Sequence, residues 1–173
     1  MRYSFWILSV AMLSACGPAD NKGEPSELPP SSLERAAIEA GVIPDSSNIS
    51  LSGAFERRSD LGEDRFCAVG NKEKGYQIGI LAVFGPESKC EAQGEAQQVG
   101  ETVKISLLGK EQCEFEARFD GVELSLPGKL PKGCSDYCTT RAGFNGVSFY
   151  LAGQGDSVAR STQGRDIKSL CPG

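Results

Sequence analysis

Residues 102–126, TVKISLLGKEQCEFEARFDGVELSL, decide the fold class of this chain. Apolar and polar residues alternate on both sides of Gly109, and a period of two is typical of a β-strand with one buried face. Asp120 and Gly121 lie between two alternating runs, where an Asp-Gly pair is a strong signal for a tight hairpin. The stretch therefore predicts three consecutive antiparallel strands.

Further strands are predicted on the N-terminal side of this stretch. Residues 49–55 alternate in the same way, and residues 88–97 do so with small apolar residues. Residues 76–84, YQIGILAVF, are almost continuously apolar, which indicates a central strand or one buried on both faces. We expect a mostly β domain, a small antiparallel barrel or sandwich of about seven to eight strands.

One or two short helices accompany these strands. Ser31 or Ser32 can cap a helix over residues 33–41, LERAAIEAG. On the C-terminal side, the pattern predicts a loop at 127–133, a helical turn at 135–141, a last strand at 145–151, and a turn or short helix at 156–161.

The N-terminus has the pattern of a bacterial lipoprotein signal. Arg2 precedes the apolar run FWILSVAML at residues 5–13, which is too short to span a membrane and suits a signal peptide. The following sequence, Leu13-Ser14-Ala15-Cys16, resembles the lipobox, in which a diacylglycerol is attached to the cysteine and the signal is cut before it. We expect cleavage before Cys16 and lipid on that residue.

This signal divides the chain into three parts. Residues 1–15 are predicted to be the signal peptide, residues 16–30 a lipidated flexible tether rich in Pro, Gly and acidic residues, and residues 31–173 a single β domain. Acyl chains on Cys16 would hold the protein at a lipid bilayer, since each buried CH₂ contributes about 0.8 kcal/mol. Position 17 is Gly rather than Asp, and by resemblance to Gram-negative lipoproteins this favours sorting to the outer membrane, where the protein would face the periplasm or the cell surface.

Lipid on Cys16 leaves six of the seven cysteines. An even number in an exported chain predicts three disulfides among Cys67, Cys90, Cys113, Cys134, Cys138 and Cys171. Cys90 and Cys113 would lie on either side of an intervening strand, about 10 Å apart, which is beyond disulfide reach. We therefore favour a Cys67–Cys90 bond, with the other four cysteines forming the remaining two.

The sequence contains few residues that could act in catalysis or bind a metal. The chain has no histidine, which excludes Ser/His/Asp and Cys/His nucleophiles and leaves a metal site without its commonest ligand. The remaining acidic candidates, which lie beside predicted turns where such residues are common, are Glu63, Asp64, Asp120 and Asp136. A net charge of −5 without a basic stripe argues against a nucleic-acid partner. We expect no enzyme activity, metal or cofactor.

Tyr137 and Arg141 are the candidate binding residues. They lie four positions apart beside a cysteine-rich loop and, with Lys132 and Asp136, could form a recognition patch. The alternative is an ordinary surface turn with solvated charges.

Several short motifs resemble the small periplasmic inhibitors of secreted bacterial metalloproteases. These are LSGAF at residues 51–55, RFCAV at residues 65–69, Gly75-Tyr76 and Cys90. Members of that family are eight-stranded, lipocalin-like barrels with a disulfide between their first two cysteines, which implies a barrel and a Cys67–Cys90 bond here.

The chain departs from that family in its four further cysteines and its longer C-terminal part. In the family, a free N-terminal segment enters the protease cleft, whereas lipid on Cys16 would tether that segment. Lipid-anchored lysozyme inhibitors share the broader plan of a small disulfide-linked barrel.

Three hypotheses follow for function. The first is an envelope lipoprotein whose β domain is a non-enzymatic binding or inhibitor module for a protein or glycan. The second is a small-ligand carrier with an apolar barrel pocket among Phe55, Ile78, Ile80, Phe115 and Phe119. The third is a cell-wall hydrolase that uses paired carboxylates, which would have to lie about 5–9.5 Å apart.

Overall fold

The computed structural model of the chain describes residues 31–40, 48–109 and 112–171. The predicted signal peptide, Cys16 and the tether over residues 16–30 lie outside the described residues. No helix in the described part is both long and apolar enough to cross a membrane.

Eight antiparallel strands form a closed barrel in this part of the chain. Each strand pairs with the next along the sequence, and the last pairs with the first. The strands are β1 Gly53–Ser59, β2 Gly62–Asn71, β3 Gly75–Val83, β4 Lys89–Val99, β5 Thr102–Leu107, β6 Cys113–Phe119, β7 Glu123–Ser125 and β8 Ser148–Gln154. Three short helices accompany them, namely α1 Ser32–Glu39, a 3₁₀ helix at Lys132–Tyr137, and α2 Asp156–Arg160. The expected fold class is confirmed, as a barrel rather than a sandwich.

The stretch that predicts the fold forms β5, β6 and β7. Buried and exposed residues alternate without a break along β6. The Asp120 carboxylate accepts hydrogen bonds from the backbone N–H groups of Val122, at 2.9 Å, and Glu123, at 2.8 Å. Gly121 has φ 101°, a conformation that glycine adopts at little cost. The Asp-Gly pair therefore closes the turn between β6 and β7 as its sequence indicates.

Aromatic rings fill the interior of the barrel. Phe55 packs edge-on against both Phe66 and Phe119, with ring centroids 5.5 and 5.4 Å apart, and Phe149 lies against Phe66. All four side chains are fully buried. Edge-to-face pairs of this kind add about 0.5–1.5 kcal/mol beyond the burial of their area.

The barrel has two distinct ends. At one, called here the hairpin end, tight turns join β2 to β3, β4 to β5, and β6 to β7. The chain enters there, and Ile49 and Leu51 are buried beneath it. The buried Gln98 side chain accepts a hydrogen bond from Leu51 N–H, at 3.0 Å, and donates to the carbonyls of Ile49 and Gly100. These bonds fix the incoming chain across the end of the barrel.

The opposite end is covered by residues 126–147, called here the cap. The cap connects β7 to β8 and contains the 3₁₀ helix. Leu126, Cys134, Phe144 and Val147 are buried and belong to the same core as the barrel interior. Both ends of the barrel are therefore covered by chain segments that contribute side chains to the core.

Residues 155–171, called here the tail, lie against the outside of the barrel wall. Cys67, Val69, Leu81 and Val83 point outward from β2 and β3 and pack with tail residues that include Leu170. A β-carbon on Gly79 would overlap the Leu170 carbonyl, so this glycine permits the tail to approach β3. Strand β3 is thus buried on both faces, which confirms the reading of its continuous apolar run.

The disulfides join Cys67 to Cys171, Cys90 to Cys138 and Cys113 to Cys134. Three bonds among these six cysteines are confirmed, but the favoured Cys67–Cys90 pairing is wrong. Cys67 faces outward toward the tail, whereas Cys90 belongs to the interior core. Strand β3 also separates their strands. A bond between them would have to cross the wall of the barrel.

Several predicted boundaries differ from the structure, and three segments differ by three residues or more. The final strand begins at Ser148 rather than at residue 145, and the helical turn of the cap covers Lys132–Tyr137 rather than 135–141. The alternating segment at 49–55 becomes strand only from Gly53. Its first apolar residues are buried by covering the hairpin end instead of by pairing in the sheet.

Candidate binding surface at the cap

Two disulfides and a short backbone pairing anchor the cap to the barrel. Cys134 is bonded to β6 and Cys138 to β4, and Cys138 forms an isolated β-bridge with Cys90. Next to this bridge, Thr139 N–H donates to the Lys89 carbonyl at 2.8 Å, and Lys89 N–H donates to the Thr139 hydroxyl at 2.9 Å. The 3₁₀ helix is therefore held at two points only four residues apart.

Tyr137, one of the two predicted binding residues, packs against the barrel. Its hydroxyl donates to the Leu107 carbonyl at 3.3 Å, and a β-carbon on Gly109 would overlap its ring. The side chain is half-buried and packs against the core. Tyr137 thus contributes to the attachment of the cap.

Arg141, the other predicted binding residue, is exposed and has an unusual backbone conformation. Its φ of 72° makes it the one positive-φ residue other than glycine in the described chain. Ala142 N–H donates to the Thr139 carbonyl at 3.0 Å, so Arg141 is the third residue of a β-turn. That position, with φ positive, ordinarily selects Gly or Asn.

The charged groups of the cap have no partners among the described residues. Lys129, Lys132, Asp136 and Arg141 are all exposed. No ion pair or hydrogen bond in the described structure involves their charged side-chain groups. Three cations and one acid thus give the cap a positive charge on a chain whose net charge is −5.

A groove of about 360 Å³ runs between the 3₁₀ helix and the segment after Arg141. Its apolar lining comes from Leu130, Pro131, Ala142 and Phe144, and its polar lining includes Lys132 and Asn145. The Asn145 side chain donates to the Gly128 carbonyl at 3.3 Å, which ties the segment after Arg141 to the start of the cap. Of the residues of the predicted patch, Lys132 lines the groove, whereas Arg141 directly precedes the lining residue Ala142 in the chain.

The four acidic candidates are distributed over the molecule. Glu63 and Asp64 are adjacent on β2 and thus point to opposite faces of the wall, while Asp136 is in the cap. Asp120 lies at the other end, in the β6–β7 turn. There, the hydrogen bond from Glu123 N–H is the main cause that lowers the pKa of Asp120, with a second from Val122 N–H.

Asp64 is buried near the cap end of β2. Its carboxylate accepts a hydrogen bond from Val83 N–H at 2.7 Å and lies 4.0 Å from the Arg57 guanidinium. Burial raises the pKa of Asp64 more than these two interactions lower it. The folded structure therefore disfavours the ionised form of Asp64 relative to the protonated form.

Glu91 is a partly buried acidic residue that the sequence patterns do not single out. Its carboxylate accepts hydrogen bonds from Arg165 N–H at 2.7 Å, Asp166 N–H at 2.9 Å and Ile167 N–H at 3.2 Å, and from the Lys89 ammonium at 3.0 Å. Burial alone would raise the pKa of Glu91, but these hydrogen bonds outweigh it and lower the pKa. Both carboxylate oxygens of Glu91 thus accept hydrogen bonds from the backbone of the tail.

The five side chains expected to line a ligand cavity pack together instead. Phe55, Ile78, Ile80, Phe115 and Phe119 are buried members of one core. A cleft of about 530 Å³ lies at the hairpin end rather than among these five side chains, and no charged residue lines it. Within residues 31–40, 48–109 and 112–171, no group of three or more Cys, Asp or Glu residues is placed to hold a metal ion.

Comparisons with family models, with curated proteins and with solved structures give no match to this chain.

Proposed function

We propose that this protein is an exported, lipid-anchored envelope protein whose barrel is a non-enzymatic binding module, with an inhibitor role as one form of that activity. The observation that carries the proposal is the combination of a filled, closed barrel with a stapled cap whose charged groups have no partners in the described structure. A rigid surface of this kind loses little conformational entropy when it binds a partner.

The proposed membrane address rests on the N-terminal sequence. The apolar run at residues 5–13 and the Leu13-Ser14-Ala15-Cys16 motif favour cleavage before Cys16 and acylation of that cysteine. Gly17 favours the outer membrane in a Gram-negative host. The three disulfides of the domain are consistent with an oxidising compartment outside the cytoplasm.

The two alternative functions have less support. A carrier would need space among Phe55, Phe115 and Phe119, where the side chains form a packed core. A carboxylate hydrolase would need two acids in one cleft, whereas Asp120 and Asp136 are at opposite ends of the barrel and Asp120 closes a turn. We therefore favour binding over either alternative.

Lipidation is tested by growing cells that express the full chain with an alkyne analogue of palmitate. We expect the label on the wild type and none on Cys16→Ser, which should also retain its signal peptide. Cys171→Ser, which removes a cysteine without affecting the motif, is the control and should keep the label. Equal labelling of wild type and Cys16→Ser would contradict the proposed anchor.

Binding is tested by photo-crosslinking in intact membranes. A benzoylphenylalanine is placed at exposed positions of the full chain, at Lys129 or Asn145 in the cap and at Gln97 or Lys104 on the outer wall. We expect a reproducible adduct from at least one position. Adducts from none of the four, with the protein correctly localised, would contradict a binding function.

A further inference from the structure

The cap groove combines an apolar lining with nearby exposed cations. Leu130, Pro131 and Ala142 provide an aliphatic floor, and Lys132 lies in the wall. A volume of about 360 Å³ is at the low end of ligand-site sizes. It would accommodate one or two side chains of a longer ligand.

The charges around this groove favour an anionic ligand. Lys129, Lys132 and Arg141 are exposed and have no ion-pair partner in the described part of the chain, and Asp136 is the one acidic side chain of the cap. The net charge of −5 opposes general attraction of anions to the protein. An anion that binds the cap would therefore do so through these local cations.

The backbone of Arg141 is a second and independent observation. A β-carbon makes the left-handed region of backbone conformation unfavourable, and Arg141 occupies that region at φ 72°. Its guanidinium forms no ion pair or hydrogen bond in the described structure that would offset this strain. Strained residues of this kind are concentrated at ligand-binding sites.

We propose that the groove docks an extended acidic segment of a partner protein, with Arg141 and Lys132 pairing with its carboxylates and an apolar side chain seated against Leu130 and Ala142. This inference rests on the proposed binding function and assigns it a surface and a partner chemistry. A guanidinium suits bidentate pairing with a carboxylate. The aliphatic floor suits a peptide better than a sugar, because Phe144 is buried and Tyr137 is packed against Leu107 and Gly109, so neither offers an exposed ring face.

The probe is a phage library of random peptides about twelve residues long. It is panned on the mature full chain purified in detergent, with counter-selection on the Lys132→Glu/Arg141→Glu double variant. We expect the recovered peptides to be rich in Asp and Glu beside an apolar residue. Peptides without acidic enrichment, or failure to recover any, would overturn the assignment.

One recovered peptide is then titrated against single variants. We expect Arg141→Glu to weaken binding about tenfold or more, and higher salt to weaken binding to the wild type. Lys104→Glu makes the same charge change on the outer wall, where Lys104 is exposed, and should leave affinity unchanged. Equal weakening by Arg141→Glu and Lys104→Glu would overturn the proposal, since it would indicate a response to net charge.

Failure of this inference is distinguishable from failure of the binding function. Adducts from Gln97 or Lys104 alone would leave a binding function in place and overturn the cap as its surface. Adducts from no position would overturn the binding function itself. Binding of purified glycan strands that Arg141→Glu abolishes, with no peptide recovered, would overturn the peptide chemistry.

Discussion

The cap and the tail are both irregular segments tied to the barrel by disulfides, yet they use their polar groups in opposite ways. In the tail, Arg165 donates to the carbonyls of Gly85 and Pro86, and its backbone binds Glu91. In the cap, the disulfides, the Tyr137 hydroxyl and the hydrogen bonds between Thr139 and Lys89 provide the attachment, and the charged groups of the cations remain exposed. This contrast indicates a structural role for the tail and a presenting role for the cap.

Removal of the disulfides should give the largest effect that tests this comparison. Cys67–Cys171 spans 104 residues and Cys113–Cys134 spans 21. Because the stabilisation rises with the size of the closed loop, we expect Cys67→Ala/Cys171→Ala to lower the free energy of unfolding by about 5 kcal/mol and Cys113→Ala/Cys134→Ala by about 3 kcal/mol. Urea denaturation of both double variants measures the difference. A larger loss from the cap bond would reverse the expected order.

Glu91 is the next test, because it fastens the tail through a charge. Glu91→Gln should lower the stability at pH 7 by about 2 kcal/mol, as charge-assisted hydrogen bonds from the tail are lost. The pKa of Glu91 is lowered in the folded state, so its contribution is present above its unfolded pKa and lost as the pH falls through the folded pKa. Unfolding midpoints should therefore converge for wild type and variant below about pH 4.

The control for this variant is Glu95→Gln on the same strand. Glu95 is exposed, so its replacement should change stability little at any pH. A pH dependence that is the same for Glu91→Gln and Glu95→Gln would contradict the role assigned to Glu91.

Arg141 should give an effect of opposite sign in the cap. Arg141→Gly removes the β-carbon from a residue at φ 72° and should raise the free energy of unfolding by about 1 kcal/mol. Arg141→Ala removes the same charge but keeps the β-carbon, and it should not stabilise. Thermal unfolding of the two variants separates backbone strain from charge. Equal stability would show that the turn imposes no cost on arginine.

Asp64 gives the smallest expected effect and contrasts with Glu91. Its pKa is raised in the folded state by burial, so its contribution is fully present below its unfolded pKa and is lost as the pH rises through the folded pKa. Asp64→Asn should therefore gain stability relative to the wild type between about pH 4 and pH 7. A relative gain by the wild type over that interval, measured by urea unfolding, would show that the Arg57 ion pair dominates.

Sequence patterns predict the strands of the barrel where one face of the strand is exposed to solvent. Strands β5 and β6 alternate because the interior takes Val103 and Phe115 while Lys104 and Glu116 face solvent. Strand β2 carries no such pattern at Phe66, Cys67, Ala68 and Val69, because the core buries one face and the tail buries the other. The contact with the tail joins residues about a hundred positions apart, which no local period reports.

The same limitation explains why the sequence identifies only part of the candidate site. Residues 127–133 could be identified as a loop and Arg141 as a candidate, but Thr139-Thr140-Arg141-Ala142 contains no glycine to mark a turn with positive φ. Glu91 was not identified, because its partners are backbone N–H groups of the tail rather than side chains near it in sequence. The turn at Arg141 and the partners of Glu91 are therefore apparent only from the tertiary structure.

Because of Gln98, the N-terminal chain is attached at one end of the barrel and the cap lies at the other. Gln98 ties the incoming chain at Ile49 and Leu51 to the hairpin end, whereas the cap lies at the other pole. A load applied between an N-terminal membrane anchor and a partner held at the cap would run along the barrel axis. Strand β1 would then be sheared against β2 and β8 together rather than peeled away from one edge, and a closed barrel has no free edge at which peeling could start.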